Sequence, residues 1–306
     1  MSDSAAQSNG LLLGAVAYDP KVVTIWDGFR TWLREQGLDF DYVLYSNYER
    51  QVEDLVAGRI GVAWNSPLAW VRARRLADAA GVTPTPVTMR DTDCDLRSVV
   101  VVRADSPAQS LADLRGRVVA TGAIDSPQST LLPLSLLRAA GLNPGAPGAP
   151  GASGADVWVR RFDIGVGLHG DHIGGERDAA RALVGADPGD PGRVEAACMI
   201  DSNLLLFARE GILPSSSVRV LAQTPPYDHC TMTAGPAAGE TSLGRFKDLL
   251  LGMDYADPAL RPLLDLEGLK EWRPPRLTGY AQLERAVDES GFYDAKGEIG
   301  AVGYRP

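Results

Sequence analysis

Short apolar runs alternate with longer amphipathic ones from residue 11 to residue 80, and few architectures accept that pattern. Residues 11–17 read as a buried strand that ends in Tyr18-Asp19-Pro20. Asp19 suits a helix N-cap with Pro20 in the first turn, and Val22, Ile25, Trp26, Phe29, Trp32 and Leu33 then recur at spacings of three and four along one face. Gly37 stops that helix. A strand at 40–45, a helix at 48–57, a strand at 60–64 and a helix at 67–80 follow, which predicts a covered, mainly parallel sheet. Residues 98–103 are a β-branched run leaving this unit. A second α/β unit has strands at 118–121, 157–162 and 196–200, helices at 128–140 and 175–184, and a return strand at 218–222. The Gly/Pro-rich stretches 143–154 and 185–192 read as surface loops. Helices near 243–251, 258–264 and 282–288 pad the first unit. The expected organisation is two α/β lobes, residues 1–102 with 222–306 and residues 103–221, joined by two crossings with a cleft between them.

Charge narrows the partners. Thirty Lys+Arg against 39 Asp+Glu give a net charge of -9, so no basic field draws the chain to nucleic acid or anionic lipid. The longest apolar runs fall well short of the roughly 20 residues of a membrane helix. The first ten residues lack the basic and apolar regions of a secretory signal, and three cysteines (Cys94, Cys198, Cys230) make no disulfide framework. These cues predict a cytoplasmic protein with a small-molecule ligand, no nucleic-acid partner and no membrane insertion. Cys198, in an apolar strand, reads as core.

Four segments carry a resemblance: Tyr18-Asp19-Pro20 with its helix, residues 55–71 (LVAGRIGVAWNSPLAWV), residues 110–120 (SLADLRGRVVA), and residues 257–269 (DPALRPLLDLEGL). In this order they resemble the substrate-binding proteins of phosphonate and phosphate ABC importers. That resemblance implies a type 2 periplasmic-binding-protein clamshell with a ligand cleft between its lobes. It also implies an anion loop at a helix start, here Asp125-Ser126-Pro127-Gln128-Ser129-Thr130, where the family's second Ser-Gly is replaced by leucines. Free N–H groups and the macrodipole at such a start hold oxyanions. A ligand contact from His169 or His172 is implied as well.

Candidate ligand contacts are Tyr18, Asp19, Tyr45, Asn65, Ser66, Cys94, Asp125, Ser126, Gln128, Ser129, Thr130, His169, His172, Asp201, Tyr227 and His229. Tyr48 and Trp64 join the aromatics at strand ends, and Asp91, Asp93 and Asp95 precede the first crossing. A metal set drawn from His169, Asp171, His172, Glu176 and His229 lacks the second dense ligand pair of a zinc site, so neither metal nor cofactor is expected. His229-Cys230 follows the return strand. A thiol beside an imidazole is one route to a nucleophilic thiolate, although neighbours on an extended segment point to opposite sides. Two functions are therefore compatible with the sequence. One is binding of a small anionic or zwitterionic ligand; the other is a hydrolase or lyase on the same fold using His172, His229 and Cys230.

Overall fold

The computed structural model describes residues 10–145, 154–163, 172–185, 192–214 and 216–306. Its first third follows the expected alternation: β1 (Leu11–Val16), α1 (Lys21–Glu35), β2 (Phe40–Tyr45), α2 (Tyr48–Val56), β3 (Val62–Asn65) and α3 (Pro67–Ala80). Local chemistry sets the ends. Asn47 accepts from Arg50 N at 2.9 Å to cap α2, and Ser66 accepts from Ala69 N at 3.2 Å to cap α3. Gly81 closes α3 at φ 70°, a left-handed conformation that favours glycine. Pro20 rather than Asp19 stands at the N-cap of α1, and Asp19 accepts from Lys21 N at 2.8 Å. Val22, Ile25, Trp26, Phe29 and Leu33 are buried on one face of α1 as their spacing predicts, with Trp32 half-buried beside them.

Short strands β4 (Thr85–Pro86) and β5 (Met89–Arg90) lead to the first crossing. The chain then forms β6 (Ser98–Arg103), β7 (Val118–Thr121), a one-turn π-helix at Pro127–Leu131 running into α4 (Leu132–Ala139), and β8 (Trp158–Arg161). Next come α5 (His172–Val184), β9 (Val194–Ile200), α6 (Asp201–Arg209) and β10 (Val218–Gln223). After the second crossing it returns as β11 (Thr231–Ala234), α7 (Glu240–Leu251), α8 (Arg261–Glu267), β12 (Trp272–Arg273) and α9 (Ala281–Ser290). The sequence pattern does not announce α6, whose apolar run leaves Leu205 exposed. Residues 146–153 and 186–191, most of the two Gly/Pro loops, lie outside the described residues.

Two five-stranded sheets result, ordered β2-β1-β3-β11-β4 and β10-β6-β9-β7-β8, and β12 pairs with β5. In each, a parallel trio (β2-β1-β3 and β8-β7-β9) is followed by an antiparallel strand (β11 and β6). Both sheets are therefore mixed rather than mainly parallel. Strands joined by helical crossovers run the same way, whereas β11 and β6 have just arrived from the other sheet and run against them. Residues 98–102, expected in the first lobe, sit in the second sheet, because β6 is fully buried between β9 and β10. Ala222 and Gln223 likewise pair with Val100 and Val99.

The crossings lie side by side. Leu96 and Tyr227 exchange two backbone hydrogen bonds of 2.9 Å, and the Tyr227 hydroxyl is 3.1 Å from Ser98 Oγ. Asp228, 2% exposed, receives two bonds from Arg276 and one from Asp95 N at 3.3 Å. Gly279 packs so closely on this carboxylate that a Cβ would collide with it, whereas Gly239 has open space. Gly279→Ala should therefore destabilise the protein by about 1–3 kcal/mol. Gly239→Ala should stay within about 0.5 kcal/mol. Urea unfolding followed by circular dichroism makes the comparison, and equal midpoints would contradict the packing at Asp228.

Candidate functional site

Between the two sheets lies a cavity of about 230 Å³. The first lobe lines it with Tyr18, Lys21, Tyr48, Trp64, Ser66, Pro67 and Arg90, the second with Pro127, Gln128, His172 and Ile173, and the return crossing with His229 and Cys230. Lys21, Tyr48, Pro67 and His172 are the first residues of α1, α2, α3 and α5, and Pro127 opens the π turn that becomes α4. Five helix starts thus abut one cavity, each bringing the positive end of its peptide dipoles. No carboxylate lines it among the described residues.

The wall near the crossings is held by one buried acid. Asp93, 1% exposed, takes a two-pronged ion pair from Arg90, with Nε–Oδ2 at 2.6 Å and Nη2–Oδ1 at 3.0 Å. Its Oδ1 also accepts from Cys230 N at 3.2 Å and lies 3.3 Å from His229 Nδ1, while its backbone carbonyl accepts from His229 N at 2.8 Å. Burial alone would raise the Asp93 pKa, but Arg90 and the His229 bond outweigh it and hold the carboxyl well below the usual range. Arg90 also bonds Glu267 O at 2.9 Å and stands 5.1 Å over the Trp64 ring. Glu267, by contrast, is pushed up to about 7 by burial, although Arg90 opposes the shift. Burial raises Tyr18 to about 12 and lifts Tyr48 well above its usual value, so both phenols face the cavity as neutral groups.

Of the residues singled out in the sequence, Tyr18, Tyr48, Trp64, Ser66, Gln128, His172, His229 and Cys230 meet at the cavity. His169 and Asp171 lie outside the described residues. The remaining candidates are committed elsewhere. Asp19 bonds its own loop; Tyr45 donates to Asp54 at 2.7 Å; Asn65 is fully buried and accepts from Gln51 at 2.9 Å. Cys94 Sγ contacts Arg90 O at 3.5 Å, Asp201 accepts from Ser202 N, and Tyr227 belongs to the crossing core. Asp125 stands behind the wall, 3.5 Å from His172 Nε2.

The expected anion loop is a helix start, but its hydroxyls point inward. Ser129 Oγ donates to Ser126 Oγ at 2.6 Å and Thr130 Oγ1 donates to Ala123 O at 2.7 Å. These side chains shape the loop, and only Pro127 and Gln128 of it reach the cavity. The expectation of a reactive thiolate also needs correction. Cys230 Sγ is 3.2 Å from His229 Nδ1, yet burial, followed by the nearby Asp93 charge, drives the thiol pKa well above its normal value. The neutral thiol is a poor nucleophile. Asp93, His229 and Cys230 also form a cluster of metal-ligand types, but the Arg90 guanidinium already takes both Asp93 oxygens.

Lys21 and Arg90 went unmarked in the sequence. Lys21 looks like an ordinary first-turn lysine, and Arg90 sits in a two-residue strand between loops. The nearest signal was the run of acids at Asp91, Asp93 and Asp95, which needs a buried cation once one of them is inside. Replacing Asp93 by Asn should destabilise the fold by about 1–3 kcal/mol, because the partly buried Arg90 loses its two-pronged partner and keeps only Glu267. The wild-type contribution is present above the ordinary carboxylate pKa and is lost as pH falls through the depressed one. The variant should therefore differ most from wild type at neutral pH and less below pH about 3, by thermal melts across that range. A constant difference would contradict the pairing.

A sequence model described as the periplasmic substrate-binding protein of a phosphonate ABC transporter matches residues 15–280. Among solved structures, XAC2383 from Xanthomonas citri bound to ATP superposes with a TM-score of 0.67 at 19% identity, covering 92% of this chain and 98% of that one. PhnD1 from Prochlorococcus marinus in complex with methylphosphonate gives 0.62 at 18% identity, with the same coverage. The periplasmic aliphatic sulphonate binding protein SsuA from Escherichia coli gives 0.57 at 18%, covering 95% and 97%. All share the two-lobed fold. The family model overturns the cytoplasmic expectation, since it describes a component that works outside the cytoplasm. Cysteine usage did not discriminate, because two of the three free thiols are simply buried in the core. With most of its length matched on this fold, the chain belongs to the periplasmic substrate-binding family of phosphonate ABC transporters.

Proposed function

We propose that the protein captures a small organic oxyanion of the phosphonate class between its lobes and presents it to the membrane components of an ABC importer. The observation that carries this reading is the make-up of the cavity wall. In a chain of net charge -9, five helix starts, Lys21, Arg90 and two histidines face one small space. Fixed dipoles and cations of this kind select an anion. Tyr18, Tyr48, Trp64 and Ile173 supply apolar surface for an organic substituent, and the cavity is small for a drug-sized molecule. The two halves of the clamp are residues 10–97 with 224–306 and residues 98–223, which close about the paired crossings at Leu96 and Tyr227.

Titration calorimetry with methylphosphonate, methanesulfonate and inorganic phosphate tests the reading. Methylphosphonate should bind saturably. Lys21→Ala and His172→Ala should each weaken it roughly 10- to 100-fold, the effect of about 1.5–3 kcal/mol for a hydrogen bond to charge. Ser129→Ala should have little direct effect, since that hydroxyl is spent inside the loop. A folded protein giving no saturable signal with any of the three anions would refute the proposal.

A further inference from the structure

The two residues that follow the expected anion loop turn away from the cavity. Leu131 and Leu132 are 3% and 2% exposed, and they enter an apolar cluster whose other buried members belong to the first lobe or the return crossing. In that cluster α3 contributes Leu68 and Val71, α9 contributes Leu283 and Val287, and the chain beyond α9 contributes Phe292 and Tyr304. The cluster therefore joins the lobes. It also borders the cavity, because Leu68 follows Pro67 and Leu131 lies one turn beyond Gln128, and Pro67 and Gln128 line the cavity from opposite lobes. The contact continues along α4, where Arg138 Nη1 is 3.8 Å from Glu289 Oε2 at the end of α9.

The C-terminal segment is held to the first lobe in a different manner. Arg72 on α3, 3% exposed, donates from Nε to Gly297 O at 3.0 Å and from Nη1 to Glu49 O at 2.7 Å. Glu49 Oε1 accepts from the Tyr293 hydroxyl at 2.9 Å and from the Tyr304 hydroxyl at 2.8 Å. Arg75 donates to Tyr293 O at 2.9 Å and pairs with Asp288 at 2.7 Å, and Arg74 pairs with Glu284. These directional bonds fix residues 281–304 to α2 and α3, so the segment moves with the first lobe. Toward the second lobe the contact is mainly apolar. Burial of apolar surface is non-directional, so such a contact parts and re-forms without stranding buried polar groups. A groove of about 380 Å³ also runs between α4 and α9 beside the return crossing, which leaves α4 room to shift over α9.

We propose that the C-terminal segment and the Leu131–Leu132 pair form an apolar clasp that holds the lobes together before ligand arrives. Lobes that part about the paired crossings draw the start of α3 away from the π turn, since these border the cavity from opposite sides. That movement uncovers Leu131 and Leu132. Returning apolar surface to water is unfavourable, so the clasp weights the equilibrium toward the closed form. The apparent association constant of a clamp is that of its closed form multiplied by the closed fraction, so the clasp strengthens capture without touching the ligand. This consequence for affinity rests on the anion-binding reading given above, whereas the state of the ligand-free lobes does not.

X-ray scattering from the ligand-free protein in solution tests the proposal. Wild type should scatter as the closed clamp described above, and saturating methylphosphonate should change the profile little. Leu131→Ala combined with Leu132→Ala should expand the ligand-free protein, and methylphosphonate should restore the compact profile. Leu137→Ala is the control, because Leu137 is equally buried on α4 but lies in the second lobe's own core. It should lower the melting temperature and leave the ligand-free profile compact. By calorimetry, methylphosphonate should bind the double variant on the order of tenfold more weakly than wild type. If the double variant fails to fold, Val287→Ala, a smaller truncation on the first-lobe side of the contact, takes its place and should expand the ligand-free protein to a lesser degree. A wild type that is expanded without ligand and contracts on binding overturns the proposal, as does a folded clasp variant that stays as compact as wild type. A variant that opens yet binds with unchanged affinity overturns the link to capture. Absence of saturable binding in every protein overturns the anion reading, and the ligand-free profiles then decide the clasp by themselves.

Discussion

The Asp93 carboxylate is the point on which both crossings depend. It sits at the end of the first crossing's entry, is clamped by Arg90 from β5, and accepts from the backbone of Cys230 as the second crossing enters β11. Its own carbonyl takes His229 N. Two chain segments far apart in sequence, residues 90–93 and 229–230, are thus pinned to each other at the floor of the cleft. A buried ion pair of this kind gives limited net stability because both charges are desolvated, but removing either partner strands the other. Its worth is geometric: it holds Trp64, under the Arg90 guanidinium, and His229 in the wall of the cavity.

This hub also bears on the protonation of the Cys230 thiol beside His229. Adjacent thiol and imidazole groups become a nucleophile only where the surroundings favour the thiolate. Here the neighbouring charges are Asp93, Arg90 and Glu267, and burial together with the carboxylates overrides the cation. Burial, reinforced by the same acid that locks the crossings, favours the neutral thiol. The thiol and imidazole that the sequence sets side by side are, in the folded protein, packed against Asp93 in a corner of the candidate site.

Much of the fold was legible because its signals are local. The face of α1, the Ser66-Pro67 start of α3 and the β-branched run of β6 depend on residues within a turn or two of one another, so spacing alone reveals them. Strand pairing is not local. Residues 98–102 read as the exit from the first lobe, and only the pairing of β6 with β9 and β10 places them in the second. Gln128 was legible because it lies at an expected helix start, whereas Ser66 and His172 came from the family resemblance, which left His169 and His172 as alternatives. Arg90 was not legible, since its role is set by Asp93, Glu267 and Trp64, which converge only through tertiary contacts. Ser129 and Thr130 illustrate the converse. Their type and position suit a ligand, yet hydroxyls at a helix start bond to nearby oxygens just as readily, and here Ser126 and Ala123 took them.

An acidic protein that presents a cationic cleft has to dispose of its carboxylates near that cleft, and four of them are handled in two ways. Asp93 and Asp125 are paired, the first by Arg90 and the second by His172. Glu267 and Glu176 are buried, and burial raises each to about 7, so that near neutrality their charge is partly suppressed rather than neutralised. The Arg90 pair keeps its part of the field steady with pH, because a carboxyl held by a guanidinium titrates far below neutrality. Burial does not, since a group poised near 7 ionises within the range a protein outside the cytoplasm encounters. Both strategies occur on each wall: Arg90 meets the paired Asp93 and the buried Glu267, and the second lobe holds Asp125 beside His172 and the buried Glu176. Arg90 therefore keeps its charge in the wall of the first lobe, while Glu267 beside it and Glu176 behind the second wall each add a carboxyl poised near neutrality. Any pH dependence of ligand capture beyond the ionisation of the ligand itself should therefore trace to the buried acids poised near neutrality, one in each lobe, rather than to the Asp93 pair.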